Sequence, residues 1–129
     1  MFELIRSNKR RSVALVACFM LFTVLVGAAI GALVGNGIAF TLVALIFSGG
    51  VAFHSYWRAD KIALKISRAE PASELDYQRL HNVVEGLCIA AGIPKPGVYV
   101  IHDPAPNAFA TGRNPEHAAI AVTSGLLEM

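Results

Sequence analysis

Two apolar stretches, Val13–Val34 (VALVACFMLFTVLVGAAIGALV) and Ile38–Tyr56 (IAFTLVALIFSGGVAFHSY), are separated only by Gly35-Asn36-Gly37. No Asp, Glu, Lys or Arg occurs from Ser12 to Trp57, although 16% of the whole chain is charged. Because about 20 apolar residues cross the hydrocarbon layer of a bilayer, each stretch is long enough to span a membrane. Asn-Gly favours a tight turn. The sequence therefore predicts an antiparallel hairpin of transmembrane helices over about 13–34 and 38–56.

The charges beside this hairpin predict its orientation. The first span is preceded by four cations and one acid, namely Arg6, Lys9, Arg10, Arg11 and Glu3. The second span is followed by four cations and one acid, namely Arg58, Lys61, Lys65, Arg68 and Asp60. Basic flanks stay in the cytoplasm, and aromatic residues such as Tyr56 and Trp57 favour the headgroup layer. We expect a basic cytoplasmic N-terminus over 1–12 and a hairpin over 13–57. A cleaved signal peptide is disfavoured because a second span follows at once, and no nucleic-acid partner is indicated.

Small residues recur every fourth position in both spans. Backbones approach closely in membranes where side chains are small, so these stripes predict the contact between the two helices. Chance occurrence and contact with a second subunit remain alternatives, the latter giving a homo-oligomer. The helix-packing candidates are Gly27, Gly31, Gly35, Ala44, Ser48 and Ala52.

The second half of the chain has the composition of a water-soluble module. We expect a juxtamembrane helix and linker over 58–72, because Pro71 disfavours helical geometry in the residue before it. A module over 73–129 then begins with a helix that Ser73 would cap. Its buried stripe falls at intervals of three and four and ends before Gly92; the stripe consists of Leu80, Val83, Val84, Leu87, Cys88 and Ala91.

A strand and then a β-hairpin are predicted after this helix. Val98–Ile101 is β-branched and aromatic, and Ala118–Thr123 contains the β-branched residues Ile120, Val122 and Thr123. Between them Phe109 and its small neighbours lead into a turn at Gly112–Pro115, so that Asn107–Thr123 predicts a β-hairpin. Ser124 would cap a last short helix.

The sequence gives little indication of metal ligands or catalytic residues. None of the four histidines, His54, His81, His102 and His117, begins a His-Glu-x-x-His sequence, the arrangement that places two zinc ligands on one helix face. His81 and Glu85 are four residues apart but belong to a uniformly polar helix face. Cys18 and Cys88 lack neighbouring ligands and are not expected to form a disulfide. The sequence therefore predicts no catalytic residue and no metal ligand within this chain.

A resemblance to a known family rests on Pro94–Ile101 and on Asn107–Leu127, above all on the run Asn-Ala-Phe-Ala-Thr-Gly at 107–112. These stretches closely resemble the region before the catalytic helix in HtpX-type membrane zinc metallopeptidases. The resemblance implies an α+β membrane protein, with a transmembrane hairpin followed by a truncated zincin-like cytoplasmic domain. It also implies a multi-pass protein of a bacterial-type inner (plasma) membrane that takes part in the stress response. Its substrates would be unfolded or damaged membrane proteins.

The same resemblance implies that the hairpin holds an extended substrate beside the active site. The residues implied for this groove are Asn107, Ala108, Phe109, Ala110, Thr111, Gly112, Ala119 and Ala121. Zinc is the implied cofactor, with ligands expected beyond Met129, so the chain alone is expected to be inactive. The alternative function is a non-catalytic, membrane-anchored, peptide-binding adaptor.

Overall fold

The computed structural model describes residues 2–129. They form two compact units, one ending at Ser55 and the other comprising Tyr56–Met129.

The first unit is a helical hairpin. Helix α1 spans Phe2–Val34, and helix α2, Gly37–Ile66, begins after a two-residue connection. Both helices are long and apolar enough to cross a membrane. The hairpin is therefore confirmed, but α1 also includes the basic N-terminus, because Arg and Lys are good helix formers. Large apolar side chains point outward, with Leu15 72% and Phe22 67% exposed.

The two helices of the hairpin approach closely at glycine positions of α1. Gly27 and Gly31 are buried. A Cβ atom added to Gly27 would lie 2.5 Å from the Cβ of Ala44, and one added to Gly31 would lie 2.7 Å from the Cα of Gly37. Neither position has room for a side chain. At the connection, the Asn36 N–H donates to the Gly31 carbonyl over 2.9 Å.

The second unit is built around a mixed four-stranded sheet. Its strands are β1 (Glu70–Pro71), β2 (Gly97–Ile101), β3 (Ala108–Gly112) and β4 (Ala118–Thr123), in the order β1-β2-β4-β3. Strand β2 runs parallel to β4, whereas β1 is antiparallel to β2, and β3 is antiparallel to β4. Helix α3 (Gln78–Ala91) connects β1 to β2, a 3-10 turn (Pro115–His117) connects β3 to β4, and helix α4 (Ser124–Leu127) follows β4.

Each face of the sheet has its own apolar cluster, because successive side chains of a strand point to opposite faces. On one face, Val84 and Cys88 of α3 pack with Val98. On the other face, Leu64 packs with Ala119 and Ala121; it lies in the part of α2 after Ser55, which belongs to the second unit. The sheet of the second unit thus lies between α3 and the end of α2.

Two helix caps differ from the prediction. Helix α3 begins at Gln78, with Tyr77 at the N-cap and no side-chain cap. The Ala72 N–H donates to the Val98 carbonyl over 2.9 Å, which keeps the chain extended at the sheet edge, so that a turn over 73–77 must precede the helix. Helix α4 is capped by Thr123, whose hydroxyl accepts from the Leu126 N–H, and not by Ser124. The Ser124 hydroxyl instead hydrogen-bonds the backbone of Asp103.

Candidate functional site

Strand β3 is an edge strand of the sheet, because its one partner is β4. Ala108 and Ala110 are exposed on β3, whereas Phe109 and Thr111 are partly buried. An edge strand offers unpaired backbone N–H and C=O groups to an incoming chain. The β3 edge therefore has backbone groups with which an extended polypeptide could pair.

The pairing of β3 with β4 identifies which backbone groups are free. Asn107 lies opposite Thr123, one step before the first ladder pair, and the Thr123 N–H donates to the Asn107 carbonyl over 2.9 Å. Residues of an antiparallel pair alternate between hydrogen-bonded and non-hydrogen-bonded positions. It follows that Asn107 and Phe109 turn their backbone groups towards β4, whereas Ala108 and Ala110 turn theirs towards the open edge.

A side-chain clamp holds the beginning of β3. The Thr123 hydroxyl accepts from the Asn107 N–H over 2.8 Å and donates to the Asn107 carbonyl over 3.1 Å. The Asn107 side-chain oxygen accepts from the Ala108 N–H over 2.9 Å. This bond occupies the first outward-facing donor of the edge, which makes Ala110 the first position along β3 where both the N–H and the C=O are open.

A cavity of about 300 Å³ lies beside the beginning of β3. Apolar side chains of three strands and polar groups of the loop after β2 surround it; they include Ile101, Asp103, Asn107, Phe109, Ala121 and Thr123. The cavity is large enough for one side chain of a bound peptide, and its rim carries hydrogen-bonding groups.

The residues that the resemblance implies for a substrate groove lie on, or directly before, two neighbouring strands. The residues Asn107–Gly112 form and precede the edge strand, and four of the set line the cavity, namely Asn107, Ala108, Phe109 and Ala121. Ala119 and Ala121 are 5% and 0% exposed and pack against Leu64. They lie on a buried face of the inner strand β4, whereas Ala108 and Ala110 are exposed on the edge strand β3.

The histidines are not gathered into a metal site. Among residues 2–129, no group of three His, Cys, Asp or Glu side chains is placed to hold a metal ion. His102 lies 3.5 Å from the Glu70 carboxylate, His81 hydrogen-bonds the Ala72 carbonyl, and His117 hydrogen-bonds Asn114. The donors in this part of the chain therefore do not fit a zinc ion that needs three protein ligands.

Two residues of interest were not singled out by the sequence. Thr123 is 5% exposed and joins β4 to Asn107. Arg113, in the turn after β3, stacks on the Trp57 ring. Both contacts connect positions far apart in the chain, and neither residue belongs to a motif that could have signalled the contact.

Comparison with known proteins gives a consistent set of relatives. Residues 74–129 match the sequence model of Peptidase family M48. The chain is 45% identical over 122 residues to a "Protease HtpX homolog" of Desulfatibacillum aliphaticivorans, an alignment that covers 95% of the chain and 38% of the relative. The protein of the same description from Syntrophobacter fumaroxidans is 47% identical over 119 residues, which cover 92% of the chain and 40% of the relative.

A third relative matches over the whole chain. The "Protease HtpX homolog" of Tropheryma whipplei is 41% identical over 131 residues, with 44% of that protein covered. The chain thus spans about two-fifths of the length of the curated relatives that it matches. No solved structure matches the chain.

Proposed function

Because this chain is a homologue of the HtpX proteases of peptidase family M48, we propose that it forms the membrane anchor and the substrate-holding sheet of a zinc-dependent endopeptidase. The observation that carries the proposal is the open edge of β3, to which an extended peptide can add as a further strand. The anchor is the hairpin of α1 and α2.

The proposed location is a bacterial inner membrane, with both termini in the cytoplasm. Two helices of sufficient length and hydropathy support a membrane location. The basic residues before the first apolar stretch and after the second support the orientation. A cysteine-labelling experiment on Ser7→Cys and Ser73→Cys, in a background in which Cys18 and Cys88 are changed to Ala, tests this topology. Labelling of intact spheroplasts by a membrane-impermeant maleimide would contradict it.

The proposed substrates are unfolded or damaged membrane proteins, held as an added strand beside β3. Main-chain hydrogen bonds to an edge strand grip many sequences with little side-chain preference. The small side chains of Ala108 and Ala110 leave room for a second backbone. The neighbouring cavity would receive one substrate side chain.

Replacement of Ala110 by Pro tests this binding mode. Proline removes the outward-facing N–H at Ala110 but no hydrogen bond to β4, and proline is tolerated on such edges. Loss of one main-chain hydrogen bond predicts about three- to tenfold weaker binding of an unfolded, fluorescently labelled casein to the detergent-solubilised chain. The matched control, Ala110→Ser, keeps both the N–H and a small side chain and should bind like the wild type. Equal binding by all three proteins would contradict binding through the β3 edge.

We further propose that these 129 residues alone do not cleave peptides. A zinc peptidase needs metal ligands on fixed elements and a carboxylate base, and the sequence contains no His-Glu-x-x-His. When bound, zinc would supply a polarising centre and an activated water. Incubation of the purified chain with zinc and unfolded casein should give no cleavage. Cleavage that a chelator abolishes would overturn this proposal.

An adaptor that binds peptides without cleaving them is the second candidate, and the same open edge favours it. Both functions predict binding of unfolded casein. The codons that follow Met129 discriminate between them, since an open frame that encodes His-Glu-x-x-His supports the peptidase.

For the hairpin, we propose that the small-residue stripes form the contact between α1 and α2. The close approach of Gly27 and Gly31 to α2 supports this role, as does the complete burial of Ser48. Ala44 and Ala52 are partly buried on α2. Gly35 lies in the connection at φ +83°, with no heavy atom near its missing side chain.

A further inference from the structure

A contact between the turn after β3 and helix α2 concentrates positive charge at one point of the second unit. The Arg113 guanidinium lies 4.2 Å from the centroid of the Trp57 ring. Its Nη1 also donates to the Trp57 carbonyl over 3.1 Å. A guanidinium has five N–H donors, and within residues 2–129 no carboxylate forms an ion pair with Arg113. Arg113 is thus held firmly in place, with most of its donors still available.

The surface of α2 beside Trp57 carries further cations. Arg58, Lys61 and Lys65 are exposed and lie at intervals of three and four, which places them on one side of the helix. In the part of the chain that the structure describes, none of them forms an ion pair. Trp57 is the residue at which the uncharged stretch ends.

Membrane topology alone does not account for this arrangement. The orientation rule explains cations that directly flank a span. Arg113, however, lies 56 residues after Trp57 in the chain and reaches it through the fold of the sheet. The positive charge of Arg113 therefore adds to that of the α2 cations close to Trp57. Aromatic residues such as Trp57 prefer the headgroup layer of a membrane.

We propose that Arg113 and Lys61, together with the ring of Trp57, bind the phosphate of an anionic lipid headgroup. The planar fork of arginine matches phosphate oxygens. The headgroup layer is about 5–7 Å thick on each side of the hydrocarbon, and Lys61 lies about 6 Å along the helix axis from Trp57. Lys65, about 12 Å along the axis, lies beyond that layer. The proposal rests on the membrane location proposed above, and it assigns a lipid site beside the end of the β3 strand.

The single tryptophan of the chain allows a direct test. The full chain is placed in phosphatidylcholine nanodiscs that contain a minor fraction of acyl-brominated lipid, either phosphatidylglycerol or phosphatidylcholine. Quenching of Trp57 by each brominated lipid is measured, and the ratio of the two reports the preference for the anionic headgroup. The wild type should prefer the anionic lipid, and Arg113→Ala and Lys61→Ala should each lower that preference about fivefold. Arg113→Lys should retain part of it, since the charge remains but the fork is lost.

Matched controls separate a defined site from net charge. Arg79→Ala removes an arginine from α3, and Lys65→Ala removes the lysine beyond the headgroup layer; each should change the ratio less than twofold. Equal losses in these controls would overturn the proposal, and so would an unchanged ratio in both Arg113→Ala and Lys61→Ala. If millimolar inorganic phosphate abolishes the preference, the site takes a free anion and the assignment to a lipid is wrong.

The experiment also distinguishes this proposal from the proposed membrane location. If neither brominated lipid quenches Trp57, the membrane location itself fails. If both lipids quench it equally, only the headgroup site fails. Because Arg113→Ala could disturb folding, circular dichroism accompanies each variant, and Lys61→Ala alters only an exposed helix position that keeps the Arg113–Trp57 contact.

Discussion

The two units of the molecule use opposite means of holding their elements together. Of residues 2–55, only Gly27, Gly31 and Ser48 are buried, so the contact between the helices consists of small side chains and backbone. In the second unit, ten residues are buried, most of them apolar side chains on the two faces of the sheet. The first unit turns its large apolar side chains outward, whereas the second buries several of its own, among them Leu64, Val100 and Val122, although Leu87 and Ile89 of α3 stay exposed.

This difference follows from the solvent that each unit would meet. In water, apolar burial stabilises a fold by about 25 cal/mol per Å². In hydrocarbon that driving force between helices is absent, and close packing of backbones takes its place. Substitutions of a core side chain should therefore affect the second unit most, and substitutions that add volume at a glycine should affect the first.

The largest expected effect is that of Val100→Asp in the second unit. Val100 is 2% exposed in the central strand β2, so the new carboxylate would be buried without a partner. We expect a loss of about 3–5 kcal/mol in the free energy of unfolding, enough to unfold the sheet. Loss of dispersed amide signals from residues 97–123 in NMR spectra of the detergent-solubilised chain would report it.

Val83→Asp is the matched control for that change. Val83 is 53% exposed on α3, so the carboxylate stays in water and the free energy of unfolding should change by less than about 0.5 kcal/mol. In both variants the helical signal of the first unit should persist. Loss of that helical signal in Val100→Asp would mean that the first unit depends on the apolar core of the second, and it would contradict the difference in packing between the units.

The corresponding test of the first unit is Gly31→Leu. The added Cβ would meet the Gly37 Cα at 2.7 Å and the Phe40 Cβ at 2.9 Å, so the helices must separate. We expect a destabilisation of about 2–3 kcal/mol, measured by thermal unfolding in mild detergent. Gly50→Leu, where no heavy atom lies within 4 Å, should leave the midpoint unchanged. Equal midpoints for both variants would mean that Gly31 does not form the helix contact.

The sequence alone was sufficient for the first unit and for part of the second. A bilayer admits few spanning structures, so a charge-free stretch with one Asn-Gly turn leaves little choice but a hairpin. The β3–β4 hairpin was also predictable, because its strands are close in the chain. Strand β1 was missed, since Glu70-Pro71 looks unlike a strand and acquires its extended geometry from pairing with β2.

The candidate site was predicted as a set of residues but not as a geometry. The groove residues came from a resemblance, whereas the open groups of Ala110 follow only from the register of β3 against β4. The contact of Arg113 with Trp57 spans 56 residues. No local propensity or motif encodes such a contact.

A smaller effect is expected for Thr123→Val, which removes the clamp on β3 while keeping the side-chain shape. The Asn107 N–H loses its acceptor, and so does the Leu126 N–H at the start of α4. We expect a destabilisation of about 2 kcal/mol and faster hydrogen exchange at Asn107 and Ala108. Thr111→Val is the control, because the Thr111 hydroxyl on β3 takes part in no such clamp. Unchanged exchange in Thr123→Val would show that the clamp does not hold the strand.

The smallest destabilisation is expected for alanine at a glycine with positive φ, and each unit contains an example. Gly35 in the hairpin connection and Gly92 after α3 have φ values of +83° and +67°, with no heavy atom within 4 Å of an added Cβ. Alanine at either position meets only backbone strain, which costs about 1 kcal/mol whatever the surroundings. Gly86→Ala, inside α3 and equally free of neighbours, should instead stabilise by about 0.5–1 kcal/mol. Packing differs between the units because their solvents differ, whereas backbone strain arises within a single residue. The two alanine variants should therefore lose similar stability. A clearly larger loss for Gly35→Ala than for Gly92→Ala would mean that side-chain packing also stabilises the connection.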